Sequence, residues 1–190
     1  KGSVIIFSAI ETLAAEGVDF KFLTFTNIPN TEVLKHLSEA DILIDELYAH
    51  GPGVLGMEAM ASGCVVATKY WEQSPACFRP PVLSVNPENI KEKLREILTD
   101  DDLRNKLIVE GRKYVEKFNQ VNTVADSFLK KMNSTFEMPD YDYYPTYFRT
   151  DFVPESEVNI DKINSYTHLV STCAWYKKYV KQGDRAGLRF

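Results

Sequence analysis

Apolar residues recur at two alternating spacings along the first 132 residues of the chain. Helical spacing, with apolar side chains three and four positions apart, predicts helices over residues 3–15, 30–40, 86–98, 101–118 and 121–132. Between them, short apolar or alternating runs predict four strands: DFKFLTFT (19–26), DILIDE (41–46), CVVATKY (64–70) and PVLSV (81–85). These strands are not strongly amphipathic, as in a parallel sheet covered on both faces. The pattern therefore predicts a doubly wound α/β domain over residues 1–132.

Residues typical of helix ends support this assignment. Ser3 is the expected N-cap of the first helix, and Gly17 is its expected stop. Asn86 is the expected cap of the helix after the last strand, with Pro87 at its first helical position. The acids at 100–102 suit a helix start. Gly111 is expected to interrupt its helix, at about 1 kcal/mol relative to alanine.

The composition changes after Met132. Seven aromatic residues and two prolines fall within residues 136–152, which predicts an extended strap across a surface rather than free disorder. A helical stripe follows within residues 157–182, and basic residues end it. The main interpretation is a docked helix whose basic end complements its dipole. The alternative is a basic surface for membrane or phosphate contact. Residues 133–190 are thus expected to form an aromatic extended strap and a C-terminal helix.

The charge and the cysteines narrow the class of protein. A formal net charge of −5 argues against a nucleic-acid binder, although a helix N-terminus still binds a small anion. Three widely spaced cysteines without a metal-ligand cluster indicate a reduced, cytoplasmic protein. No apolar run reaches the roughly 20 residues of a membrane span. Because the chain starts at Lys1 on a helix, we expect a fragment whose first strand is missing.

The stretch HGPGVLGMEAMASG, residues 50–63, is the strongest candidate for a binding site. Ligands of open α/β sheets bind beyond the carboxyl ends of the strands, where a loop enters a helix. Gly51 and Gly53 suit a loop whose backbone N–H groups approach an anion, followed by a short buried helix over 54–61. Glu58 lies on the second turn and leans toward the loop. Its carboxylate accepts hydrogen bonds either from ribose hydroxyls or from a nearby backbone N–H, and the residues alone leave both open.

The segment EADILIDELYAHGPGVLGMEAMASGCVVATKY resembles the donor-binding segment of glycosyltransferase family 4, with its AD strand, glycine-rich loop and EAMA-G-PVVA run. The similarity extends to Lys1-Gly2, to NIPNTEVLKHLSEAD, and to the closing run from residue 82 to 118. It covers about residues 1–132. It implies a Rossmann-like domain, the C-terminal half of the two-domain GT-B fold.

The resemblance also implies roles for individual residues. Lys1 contacts the donor diphosphate, Glu58 binds the ribose hydroxyls, and the glycine-rich loop offers backbone N–H groups to phosphate or sugar. The loop residues implied are Gly51, Gly53, Val54 and Leu55. Thr26, Asn27 and Ile28 are expected near the base. No metal and no cofactor is expected, because helix ends and a lysine hold the diphosphate.

His50 departs from the family pattern. The family commonly has two glutamates with seven residues between them, and counting back from Glu58 the position of the first one holds His50. His50 is therefore the candidate catalytic residue, through a hydrogen bond to the donor sugar. The alternative is a loop histidine with a packing role.

Together these features predict the donor-binding part of a retaining hexosyltransferase of polysaccharide biosynthesis. It moves a sugar from a nucleoside diphosphate sugar to a saccharide or lipid-linked acceptor, and it requires a separate N-terminal acceptor-binding domain. The expected location is cytoplasmic, with peripheral contact at the inner face of a membrane as a further expectation. The alternatives are an epimerase or phosphorylase on the same fold, and an inactive binding or scaffolding module.

Overall fold

The structure is a computed structural model of the 190-residue chain, and it describes residues 2–49, 51–70 and 78–135. The chain divides into two compact units. In one unit the described residues are 23–49, 51–70 and 78–135, and in the other they are 2–22. The predictions for Lys1, for His50, for the aromatic residues of the strap and for the C-terminal helix lie outside the described residues.

In the smaller described unit, helix α1 spans Ser3–Ala15. Six of its apolar side chains are buried: Ile5, Ile6, Phe7, Ala9, Ile10 and Leu13. The expected N-cap at Ser3 is wrong by one residue, because Ser3 is already helical and Gly2 precedes it in a left-handed conformation. Gly17 ends the helix as predicted, with a φ of 82° that favours glycine. After the turn, the ring of Phe22 packs edge-on against Phe7, with centroids 5.9 Å apart.

A parallel sheet forms the centre of the larger unit. In its described residues the strands are β1 (Ile42–Ile44), β2 (Val65–Thr68) and β3 (Leu83–Ser84), in the order β1-β2-β3. Ile42 pairs with Val65, and Ala67 pairs with Leu83. All of β2 is buried, as expected for a central strand with both faces covered. Since the strands are parallel, their carboxyl ends meet at one edge of the sheet.

Helices complete the mixed α/β fold of the larger unit. They are α2 (Asn30–Glu39), α3 (Val54–Ser62), α4 (Ile90–Thr99), α5 (Asp101–Asn119) and α6 (Val121–Met132). A buried cluster joins α2, α3 and the sheet through Leu37, Ala59, Met60, Cys64, Val66 and Val82. The predicted helices 101–118 and 121–132 are confirmed within one residue.

The predicted strand at residues 19–26 is wrong. No regular secondary structure is assigned to this segment, although all of its residues are described. Leu23 and Phe25 are 52% and 45% exposed, and the Phe25 ring stacks on His36 with centroids 3.9 Å apart. Alternating Phe and Thr look like a strand with one buried face, but residues 23–26 are exposed on both faces.

The start of α4 also differs from the prediction. Pro87 is not helical; the side chain of Asn86 accepts hydrogen bonds from the backbone N–H groups of Glu88 and Asn89, at 2.8 and 3.0 Å. The Asn89 side chain in turn accepts from the Asn86 N–H at 2.7 Å. Asn86 therefore caps a turn over residues 87–89, and α4 begins after it at Ile90.

Gly111 does not interrupt α5, which is continuous from Asp101 to Asn119. The glycine is buried, and a Cβ built there would lie 3.2 Å from Cγ of Met60 on α3. Gly111 thus lets α3 and α5 approach closely. The prediction that the acids at 100–102 mark the start of a helix is confirmed. The Asp100 side chain accepts a hydrogen bond from the Leu103 N–H at 2.8 Å.

Candidate functional site

The carboxyl ends of β1 and β2 are held together beyond the regular ladder. The Glu46 carbonyl accepts hydrogen bonds from the Thr68 hydroxyl at 3.1 Å and from the Lys69 N–H at 2.8 Å. The Asp45 N–H donates to the Ala67 carbonyl at 2.9 Å. Both Asp45 and Thr68 are buried. The loop that leaves β1 therefore starts from a fixed point.

The glycine-rich loop presses against the first turn of α3. A Cβ built on Gly56 would lie 2.7 Å from Cβ of Pro52, 3.5 Å from a methyl carbon of Val66 and 3.7 Å from a carboxylate oxygen of Asp45. Glycine at this position lets the loop, the helix and the sheet meet. This contact sets where the loop lies at the carboxyl edge.

Gly51 and Gly53 face open space instead. A Cβ at either position would meet no atom within 4 Å, and Gly53 has an ordinary extended conformation with φ −77°. Neither a close neighbour nor a left-handed backbone requires glycine at these positions. A side chain at either position would therefore point into open space, and the role of the two glycines in ligand binding stays a prediction.

The amino end of α3 leaves backbone donors available. Gly53 precedes the helix and provides no side-chain cap, and the first intrahelical bond runs from the Met57 N–H to the Gly53 carbonyl at 3.0 Å. Within the described residues, the N–H groups of Val54, Leu55 and Gly56 donate to no acceptor. Free N–H groups at a helix N-terminus carry a partial positive charge that attracts an anion.

Glu58 lies one turn further along α3 and is half-buried. Its carbonyl accepts a hydrogen bond from the Ser62 hydroxyl at 2.8 Å. Among the residues that the structure describes, no group donates to its carboxylate. The alternative interpretation of Glu58, a bond to a nearby backbone N–H, is thus not found in this part of the chain.

Residues 26–28, which are expected near the nucleotide base, have an irregular backbone. Thr26 and Asn27 are exposed, Ile28 is half-buried, and Asn27 has a left-handed φ of 57°. In the described parts of the chain, no hydrogen bond joins these three residues to the glycine-rich loop. Helix α2, which follows them, packs against α3.

Sequence reasoning missed two features of this edge. The sequence pattern places Asp45 and Thr68 in strands, and the structure shows that both are buried polar groups at the strand ends. Their position directly after apolar strand residues was the available signal. Tyr48, between β1 and the glycine-rich loop, was also missed; partial burial raises the pKa of its hydroxyl above its ordinary value.

A shallow groove of about 530 Å³ lies at the other end of α3. It is lined by Ala61, Ser62, Gly63, Ile108, Val109, Arg112, Lys113 and Glu116. Gly63 ends α3, so this groove does not coincide with the glycine-rich loop.

Neither a metal-ion site nor a membrane-spanning helix is found among the described residues. Over 2–49, 51–70 and 78–135, no three His, Cys, Asp or Glu side chains are grouped so that they could hold a metal ion. In these same ranges, every helix is too short or too polar to cross a bilayer.

Comparison with known proteins identifies a family for this chain. The model of the glycosyl transferase-like family matches residues 13–130, well over half of the chain. No curated protein and no solved structure matches the chain. The match includes β1, the glycine-rich loop, α3 and β2, and it supports a role in glycosyl transfer. The chain belongs to the glycosyl transferase-like family.

Proposed function

We propose that the chain is the donor-binding domain of a retaining glycosyltransferase similar to family 4. It takes a nucleoside diphosphate sugar as donor and serves transfer to a saccharide or lipid-linked acceptor. An acceptor-binding domain of the GT-B type completes the active site. The three described parallel strands, with α3 between β1 and β2, are compatible with the Rossmann-like half of that fold.

One observation carries the proposal: free backbone donors and a free carboxylate lie one helical turn apart. The N–H groups of Val54, Leu55 and Gly56 suit a diphosphate, and the Glu58 carboxylate suits the two hydroxyls of a ribose. A nucleoside diphosphate carries both chemical groups, the diphosphate on the 5′ oxygen of the ribose and the two hydroxyls on its C2′ and C3′ atoms. Open space at Gly51 and Gly53 allows this ligand to approach the backbone.

The proposed chemistry follows from charge. When the bond between the sugar and the diphosphate breaks, its electron pair stays on the phosphate oxygen. Helix N–H groups already oriented toward that oxygen stabilise the charge without reorganising. Pro52 holds the loop between the fixed end of β1 and α3 against Gly56. These N–H groups are therefore positioned before the nucleotide sugar binds.

The remaining assignments extend the resemblance and are proposals as well. Lys1 contacts the diphosphate, His50 hydrogen-bonds the donor sugar near its reacting carbon, and Thr26 to Ile28 lie near the base. Neither a metal ion nor a cofactor takes part.

The test is a thermal-shift and calorimetric panel of UDP, GDP, ADP and CMP on the chain, with Glu58→Ala and Glu58→Gln as variants. A nucleotide at about 100 times its Kd should raise the free energy of unfolding by roughly 2.7 kcal/mol. Glu58→Ala removes charged acceptors, which should weaken binding by about 1.5–3 kcal/mol, or roughly ten- to a hundredfold in Kd.

Glu110→Ala is the matched control, because Glu110 is an exposed glutamate of α5 with no polar partner among the described residues. It should bind nucleotide like the unsubstituted chain. Binding that is equally strong in Glu58→Ala would remove Glu58 from the site. The absence of binding to the chain and to an assembly containing an acceptor domain would favour the inactive scaffold. Conversion of a nucleotide sugar without any acceptor would favour the epimerase.

A further inference from the structure

Helix α6 exposes an apolar stripe along its whole length. Its large side chains are Val121 (79% exposed), Val124 (38%), Phe128 (67%), Leu129 (56%) and Met132 (78%), and Ala125 is exposed among them. None of the residues of α6 is buried. A continuous apolar surface of this kind marks a contact site, whereas isolated exposed apolar residues do not.

A partner for this stripe is also expected from helix stability. A helix of 12 residues is marginal in water without tertiary packing of its apolar face. Helix α6 contacts α5, but the stripe stays exposed. Another apolar surface is therefore needed to stabilise α6.

The spacing of the stripe indicates what kind of surface that is. Four of its residues form a seam with intervals of four, three and four positions: Val121, Ala125, Phe128 and Met132. These intervals keep side chains on the face by which two helices pair. Because the intervals are the same when read backwards, a copy of α6 turned end to end presents an identical seam.

The sizes of the side chains suit this antiparallel arrangement. Position 121 of one copy then faces 132 of the other, and Ala125 faces Phe128. A small residue opposite a large one lets the two surfaces interdigitate. In a parallel pair each residue faces its own counterpart, so two Phe128 rings would crowd each other and two Ala125 methyl groups would leave a gap.

The charges favour the same orientation. Lys130 and Lys131 lie in the last turn of α6. A parallel pair would bring all four lysines of the two copies together. In the antiparallel pair the lysines of the two copies are separated by about 12 Å along the helix axis. That distance exceeds the roughly 8 Å over which exposed charges interact at physiological ionic strength.

We propose that α6 is a dimerisation surface, and that the antiparallel α6 of a second copy of the chain covers its stripe. The two-fold axis passes between positions 126 and 127, so every contact occurs twice. Val124 and Leu129 flank the seam and widen the contact. Two helices of about 18 Å bury roughly 600–1,000 Å² together, which is the size of a weak, reversible interface. The interface uses residues of the larger unit alone and does not depend on the proposed donor site.

The test is sedimentation equilibrium of the full 190-residue chain over about 5–500 µM, where the mean mass should rise reversibly from monomer toward dimer. Val121→Glu sets a charge against Met132 of the second copy and should raise the dimer Kd at least about tenfold. Met132→Lys should do the same. The double variant should dimerise more tightly than either single variant, because each glutamate then faces a lysine of the other copy.

Val109→Glu is the matched control, since Val109 is 52% exposed but lies on α5 outside the stripe. It should dimerise like the unsubstituted chain, and equal circular dichroism shows that all variants are folded. A chain that stays monomeric over the whole range overturns the proposal, because a different surface then covers α6. A dimer that Val121→Glu leaves unchanged overturns it too, since another surface then forms that dimer. A double variant weaker than both single variants overturns the antiparallel pairing.

Discussion

Replacing Gly56 by alanine adds one methyl group where the glycine-rich loop touches the first turn of α3. The new Cβ would lie 2.7 Å from Cβ of Pro52, about 1 Å inside the ordinary contact distance of two carbon atoms. A proline ring cannot rotate away, so the loop or the helix must shift. The contacts with Val66 and Asp45, at 3.5 and 3.7 Å, are ordinary and limit where the methyl can move.

Gly111→Ala is a control that separates this clash from helix propensity. Both glycines lie within helices, so alanine gains up to about 1 kcal/mol of propensity at either position. At Gly111 the nearest atoms, from 3.2 Å, belong to the flexible side chain of Met60. Overpacking against rigid neighbours costs about 1–3 kcal/mol. We therefore expect Gly56→Ala to be less stable than Gly111→Ala by about 1–3 kcal/mol.

Urea unfolding followed by circular dichroism measures this difference, provided that the denaturant slopes of the two variants agree. Pro52→Gly supplies a further check, because the penalty of Gly56→Ala should shrink by about 1 kcal/mol or more in that background. If Gly56→Ala matched Gly111→Ala in stability, the argument that Pro52 fixes the loop would be refuted. An undiminished penalty in the Pro52→Gly background would refute it as well.

Three smaller predictions follow from other contacts. Gly63→Ala should lower the free energy of unfolding, measured in urea, by about 1–2 kcal/mol, because φ at Gly63 is 91° and no atom within 4 Å obstructs a Cβ. Gly63→Asn should lower it by less, since asparagine tolerates a left-handed backbone better than alanine. Equal losses in the two variants would contradict the strain argument. Asp100→Ala should lower the free energy of unfolding, measured in urea, by about 1 kcal/mol, because the cap on the Leu103 N–H is lost. Asp100→Asn should keep most of the stability that this cap provides. Burial, and secondarily the charge of Asp41, raises the pKa of the Cys64 thiol from about 9 to about 11. The neutral thiol therefore stabilises the fold below pH 9, and this contribution should be lost as the pH rises through 11; Cys64→Ala should show a smaller fall over that range.

Helices were the elements most readily predicted, because their signals are local. Asp100 caps α5 through a bond to a residue three positions away, and apolar spacing sets the extent of α6. The false strand at 19–26 has a convincing pattern, but burial of its alternate side chains depends on distant residues. Gly111 was misread for the same reason, since Met60 on another helix explains it.

The candidate site was predicted in part. The loop entering a helix, and the position of Glu58 one turn later, follow from the pattern of residues 50–63. The freedom of the Val54 and Leu55 N–H groups could not be read from the sequence, because it depends on which acceptors the folded chain brings near. The contact between Pro52 and Gly56 depends on the path of the loop, which a residue pattern does not specify.

The double hydrogen bond to the Glu46 carbonyl has a consequence for engineering. Because Thr68 and Lys69 hold this carbonyl, the sheet ends at a defined anchor before the loop begins. Residues 48–51 and 53–55 can then be exchanged as a cassette between members of the family without altering the register of β1 and β2, provided that the buried Leu47 and the Pro52 that contacts Gly56 are kept. Libraries that vary this cassette and keep Thr68 and Gly56 should therefore sample ligand preference while the scaffold stays intact.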